Sequence, residues 1–182
     1  MGSISSPSPV LLILAAFSRH EGALDWARER AEAEWGPVAL ASERFQFDAT
    51  DYYEPSMGAN ILKCFFAFER LLDPAELVER KLQTNEWESE YAGSGANIEA
   101  RPLNLDPGYL TPAKLVLAST KDHAHRLYLS HGIYAEVTLF YKHRQWQARD
   151  WTFADYQRAD YQQFFTACRE YLRQHAPPER RS

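Results

Sequence analysis

Apolar and polar positions along this chain switch between two periods, and the switches mark its elements. "VLLILAAF", Val10 to Phe17, is an unbroken apolar run, the pattern of a central strand covered on both faces. From His20 to Trp35 the stripe Leu24, Ala27, Ala31 and Trp35 predicts an amphipathic helix, ended by Gly36-Pro37. "LASERFQF" predicts a strand, with Glu43, Phe45 and Phe47 alternating against Arg44 and Gln46. A polar-aromatic loop over 48–60 leads into "ILKCFFAFERLL", a second aromatic-rich strand. Asp73, Pro74 and Glu76 have the spacing of a capping box with proline in the first turn. They predict a helix to about Tyr91, with Leu77, Val78, Leu82 and Tyr91 on its buried side and Glu76 and Arg80 as an i,i+4 pair. "AGSGAN" then breaks the chain, and "IEARPLNL" predicts another strand.

The order β-α-β-β-α-β over residues 10–105 predicts an α+β fold with a ferredoxin-like core, two helices on one face of a mainly antiparallel sheet. Residues 106–176 predict a C-terminal elaboration: a short helix, a hairpin and a terminal helix. No composition shift separates the two parts, so one domain over 10–176 is expected, between a disordered leader (1–9) and tail (177–182). The terminal helix is plain in the spacing of Tyr161, Phe164, Phe165, Cys168, Tyr171, Leu172 and His175, with Asp160 placed to cap it.

Within the elaboration, Asp106-Pro107-Gly108-Tyr109 reads as a turn. Thr111-Pro112 reads as a helix cap followed by proline, which puts Lys114 in a first turn suited to an anion. The hairpin register follows from its apolar set, Leu127, Leu129, Ile133, Ala135, Val137 and Leu139. They share a face if Leu129 pairs with Ile133 around a Ser130-His131-Gly132 loop. That register sets Arg126 opposite Glu136 and Tyr128 opposite Tyr134. The pair has two readings. It is ordinary cross-strand stabilisation, worth under about 1 kcal/mol at a surface, or it belongs to an anion pocket.

In the pocket reading, Lys114, His123 and Arg126 donate to the ligand, and Tyr109, Tyr128 and Tyr134 line it. Asp51 and Tyr53 contribute from the 48–60 loop covering that face, and Asp106 and Glu136 are the candidate catalytic acid/base groups. His123 and His125 have strand spacing, but no third ligand is fixed and the register turns His125 toward the apolar set, so no metal and no other cofactor is expected.

Composition narrows the function classes. The net charge of −5 argues against general nucleic-acid binding, which depends on neutralising phosphates. Cys64 and Cys168 lack any CxxC context and read as buried thiols of a reducing, cytoplasmic setting. "MGSISS" matches a myristoylation pattern without a second anchoring signal, and the eight-residue run from Val10 is too short to cross a bilayer, so no membrane association is expected. Nucleotide-loop, nucleophile-elbow and zincin motifs do not occur.

The stretches "TDYYEPSMG", "FERLLDPAEL", "KLQTNEWE", "NLDPGYLTPAKLVLASTKDHAHR" and "GIYAEVTL" resemble a prokaryotic family designated domain of unknown function 4416, over about residues 45 to 141. The resemblance implies a standalone intracellular protein and transfers no activity, cofactor or catalytic residue. Two functions stay open: a cytosolic domain that binds, and could transform, a small anionic ligand such as a phosphorylated metabolite or nucleotide, and a non-catalytic protein–protein interaction domain.

Overall fold

In the computed structural model, which describes residues 4–48, 53–95 and 97–177, the apolar run becomes the middle of a nine-stranded antiparallel sheet. All of β1 (Val10–Ser18) is buried. It pairs with β4 (Leu62–Leu72) on one side and β5 (Asn104–Leu110) on the other. β2 (Val38–Ala41) flanks β4, while β6 (Lys114–Ser119), β8 (Ile133–Lys142) and β7 (Leu127–Ser130) follow β5 in that order. The short β3 (Phe45–Gln46) adds to β4, and β9 (Gln145–Ala148) to β8.

Strand alternation sends successive β1 side chains to two differently covered faces. Leu12, Leu14 and Ala16 meet α1 (Glu21–Trp35), through Leu24, Ala27 and Ala31, and α3 (Leu77–Gly93), through Trp87. Leu11, Ile13 and Ala15 meet α4 (Ala159–His175), through Tyr161, Phe165, Cys168 and Leu172. The two helices expected on one face are there, and the terminal helix covers the other. Both cysteines are free and buried, and burial pushes the Cys64 thiol up to about 12 and Cys168 up as well.

Several local expectations hold. The Asp73 carboxylate accepts the Ala75 N–H at 2.8 Å while Glu76 reaches back to the Asp73 N–H, so the capping box is complete. α1 ends at Gly36, whose φ of 94° suits glycine.

Others need correction. "LASERFQF" is two short strands: the Ser42 N–H still donates to the Phe65 carbonyl at 2.9 Å, but it is the Ser42 hydroxyl that accepts the Phe65 N–H, at 2.9 Å. Among its described residues, the expected 48–60 loop holds a short helix, α2 (Glu54–Met57). The buried stripe of α3 is Leu77, Arg80, Lys81, Thr84 and Trp87, and Leu82 is exposed. Asp160 does not cap α4 but lies in its first turn, paired with Arg158.

The fourth strand is not "IEARPLNL" but Asn104–Leu110, so Asp106-Pro107-Gly108-Tyr109 is strand rather than turn. β5 stays paired with β1 down to Asn104, whereas its ladder to β6 covers only Gly108 to Leu110. Pro107 has no N–H to offer. Gly108 has a steric task, since a Cβ there would lie 2.4 Å from the Val116 carbonyl oxygen. Thr111 caps backbone as expected, accepting the Ala113 and Lys114 N–H groups at 3.1 Å, but it closes a hairpin. Lys114 therefore begins a strand and no short helix forms.

The second hairpin is corrected in part. Tyr128 pairs with Tyr134, but Ser130 pairs with Ile133, so Leu129 bulges and the loop is His131-Gly132, both at positive φ. Leu127 and Leu129 are exposed on an edge strand. A second irregularity puts Val116 opposite Val137 and Leu115 opposite Leu139, leaving Thr138 as the extra residue. A bulge reverses which face later residues occupy: Val137 packs on the α3 side and Leu139 on the α4 side. The six apolar residues therefore do not share a face.

Candidate functional site

On the α4 side, one end of the sheet is charged instead of apolar. Lys63 faces Phe17, Phe17 faces Asn104, Ala15 faces Asp106 and Leu117 faces Glu136. α4 does not cover this end. The segment from Arg149 to Arg158 does, fastened to backbone that the β8 bulge leaves open: Trp151 Nε1 donates to the Val137 carbonyl at 3.1 Å and Thr152 Oγ1 to the Thr138 carbonyl at 2.6 Å. Between this strap and the sheet lies a cavity of about 600 Å³. Where the β5–β6 ladder stops, the cavity also reaches Lys81 and Asn85 of α3, so side chains from both faces of the sheet line it.

Three ion pairs form its wall. Lys63 Nζ lies 2.6 Å from Asp155, with side chains 4% and 5% exposed. Arg126 Nε lies 2.7 Å from Glu136, with side chains 5% and 1% exposed. Lys81 Nζ lies 3.1 Å from Asp106 and donates to the Leu105 carbonyl at 2.8 Å. The Lys63 ammonium also lies within 6 Å of the ring centroids of Tyr156, Phe17, Phe47, Phe65 and Tyr161, the nearest at 4.4 Å. Glu136 is further held by Thr138 Oγ1 at 3.1 Å and by His125 Nε2 at 3.2 Å. Arg126 also donates to Ser119 Oγ at 2.6 Å and to the Lys121 carbonyl at 3.0 Å.

Buried ion pairs seldom repay their desolvation, so stability alone gives no reason for two buried pairs and a half-buried third in one wall. The titration pattern agrees with a charged site. Burial would raise the Asp106 carboxyl, yet Lys81 and Lys63 beside it hold it below the usual carboxylate range. Asp106 is thus ionised near neutral pH and holds cations in place rather than donating a proton. Burial, reinforced by Asp155, pushes the Tyr156 phenol well up, so it stays protonated. Burial raises Glu88, which holds Arg101 at 2.9 Å against the cavity.

Of the residues singled out in the sequence, Asp106, Glu136, His123, Arg126 and Tyr53 line the cavity. Lys114 is exposed at the other end of β6, and Tyr109 packs on the α3 side. Tyr128 and Tyr134 stack edge-on at 5.4 Å on the outer hairpin, away from the cavity. Asp51 lies outside the described residues. The Arg126–Glu136 contact follows the expected register, but it is buried and so is no surface pair. His125 points to Glu136 and stacks on Trp151, not with the apolar set. Among the described residues no group of three or more His, Cys, Asp or Glu is arranged to hold a metal ion. Among the described residues, the strap covers the cavity and Tyr53 lines it from the 48–60 loop.

Lys63, Lys81, Asn104 and Asp155 escaped sequence reasoning. Lys63 interrupts an apolar strand and Lys81 sits on the inner stripe of a helix, so a charge at a position that the period assigns to the core was the signal.

Among the described residues no helix is long and apolar enough to cross a membrane. No curated protein and no solved structure matches the chain. The sequence pattern of the family described as "Domain of unknown function (DUF4416)" matches residues 8–171, nearly the whole sheet and its helices, and the chain belongs to that family.

Proposed function

We propose that the protein binds a small anionic molecule in this cavity, of the class of phosphorylated metabolites and nucleotides. One observation carries the reading. Five cationic side chains, Lys63, Lys81, Arg101, Lys121 and Arg126, line one cavity, with Asp155, Asp106 and Glu136 holding Lys63, Lys81 and Arg126, and Glu88 beside it holding Arg101. The chain as a whole carries −5, so this gathering of cations runs against composition. The volume is of the size that encloses a metabolite. An entering anion competes with Asp106 for Lys81 and with Glu136 for Arg126. A carboxylate released beside the ligand would then be the base in any reaction there. The setting we assign is the cytosol, supported by two free thiols.

The test is thermal unfolding with inorganic phosphate, sugar phosphates and nucleotides. A ligand at a hundred times its Kd stabilises by about 2.7 kcal/mol. Arg126→Met with Glu136→Gln removes both charges together, leaving neither buried alone, and should abolish that gain. No response to any phosphorylated compound by the folded wild type overturns the reading.

A second reading, a protein-interaction domain, is favoured by the exposed Leu127, Tyr128 and Leu129 on edge strand β7. Light scattering that finds self-association abolished by Leu127→Lys would support it, and a monomer at all concentrations would count against association through this edge.

A further inference from the structure

The three ion pairs in the cavity wall are not equally closed. Lys63, Asp155, Arg126, Glu136 and Lys81 have side chains no more than 5% exposed, whereas that of Asp106 is 30% exposed. Asp106 lines the cavity, and desolvation still opposes its charge, so that surface opens into the cavity rather than onto bulk water. An ionised carboxylate offers about four lone-pair sites. Among the described residues two donors reach this one, Lys81 Nζ at Oδ1, 3.1 Å away, and Asn104 Nδ2 at Oδ2, 2.8 Å away. Acceptor capacity therefore remains on the surface that meets the cavity. Donors lie beside it. Lys81 spends N–H groups on Asp106 and on the Leu105 carbonyl and has a third. Asn85, one turn along α3 from Lys81, also lines the cavity, and its amide makes no hydrogen bond among the described residues.

We infer that Asp106 touches the ligand, accepting a hydrogen bond from one of its hydroxyl groups, and that the molecule bound is a hydroxylated phosphate of the sugar phosphate or polyol phosphate class. This rests on the anion-binding reading above. Charge decides between the donors a ligand could bring. An ammonium on Asp106 would be held beside the Lys81 ammonium, which lies 3.1 Å from the same carboxylate. A hydroxyl is neutral, and its oxygen can accept in turn from Lys81 or Asn85. A hydroxyl also answers the competition for Lys81. An anionic group that draws Lys81 away leaves a desolvated carboxylate short of a donor, which is costly. A hydroxyl on the same molecule replaces that donor, and a phosphate without one does not.

Calorimetric titration of the full chain near neutral pH separates the hydroxyl contact from the charge. The probes are glycerol 3-phosphate, ribose 5-phosphate and glucose 6-phosphate, against n-propyl phosphate, which is the glycerol 3-phosphate skeleton without its hydroxyls. At least one hydroxylated probe should bind about tenfold more tightly than n-propyl phosphate. Asp106→Asn keeps the shape and replaces a charged acceptor with a neutral one. It should shrink that advantage to within about threefold and leave n-propyl phosphate bound no more weakly, since a negative charge has gone. Asn85→Ala leaves every charge in the wall and should narrow the same advantage. If Asp106→Asn weakens all four probes alike, or leaves the advantage intact, Asp106 does not take the hydroxyl. If n-propyl phosphate binds the wild type as tightly as every hydroxylated probe, the hydroxyl contact is overturned while anion binding stands. If no phosphate binds, both fall.

Discussion

The α4 side of the sheet has two ends that share the same strands and differ in almost everything else. At one end β1 presents Leu11 and Ile13, β5 Leu110, β6 Leu115 and β4 Ala67, and α4 lays Phe165, Cys168 and Leu172 over them. At the other end the same strands present Phe17, Asn104 and Asp106, Ser119 and Lys63, and the cover is a strap fastened by hydrogen bonds. A helix satisfies its own backbone and can offer an apolar stripe. An irregular segment brings polar backbone that needs partners, and it leaves room. The apolar end is packed as core, and on the proposed reading the charged end holds the ligand, so perturbing each should give different signatures.

The largest effects test that contrast directly. Phe165→Ala removes a fully buried ring from the apolar end and should cost about 3–5 kcal/mol in urea unfolding. Lys63→Met should cost a similar amount, about 3–5 kcal/mol, for another reason: Asp155 is left buried and unpaired. Adding Asp155→Leu separates the two mechanisms. The double variant should recover most or all of the loss, since a buried pair replaced by apolar groups is often neutral or stabilising. If it stays as unstable as Lys63→Met, the charged end is part of the supporting core and the contrast fails.

A smaller effect is expected at the seam between β5 and β6. Gly108→Ala pushes a Cβ against the Val116 carbonyl and Leu117 Cδ2 at 2.4 and 2.7 Å. Backbone on one side cannot yield as a flexible side chain would, so a loss of about 1–3 kcal/mol is expected. The ladder ends at this residue, so ligand response should change along with stability. A stable variant with unchanged ligand response would show that the seam does not shape the cavity.

How much of this was legible in the sequence follows from the same contrast. β1, α1, β4, the capping box and α4 announce themselves because period and burial agree. The site was legible only where local pairing sets it: Arg126 and Glu136 are ten residues apart on one hairpin, and the register brings them together. Lys63 and Asp155 are 92 residues apart, and no period links them. Pro107 and Gly108 misled because their turn chemistry is local, whereas strand pairing on the β1 side overrides it. Thr111 shows the converse, a capping hydroxyl correctly read and attached to the wrong element. The apolar set from Leu127 to Leu139 failed at two bulges, each shifting the face by one residue.

The smallest effect is the pH dependence of Asp106. Its carboxyl sits below the usual range in the folded protein because Lys81 and Lys63 favour its charge over the cost of burial. A depressed folded value means that the unfolded chain binds the proton more readily. The stabilisation is therefore present above the unfolded value of about 3.9 and lost as pH falls through the lower folded value. Asp106→Asn should be less stable than wild type at pH 7, and the gap should close as pH drops below about 4. Glu88 slopes the other way, since burial raises it and acid relieves its penalty. Comparing wild type with the single variant at each pH cancels that background. A gap that stays constant from pH 7 to pH 3 would mean that Asp106 gains nothing from its cations, and the charged wall would lose its central carboxylate.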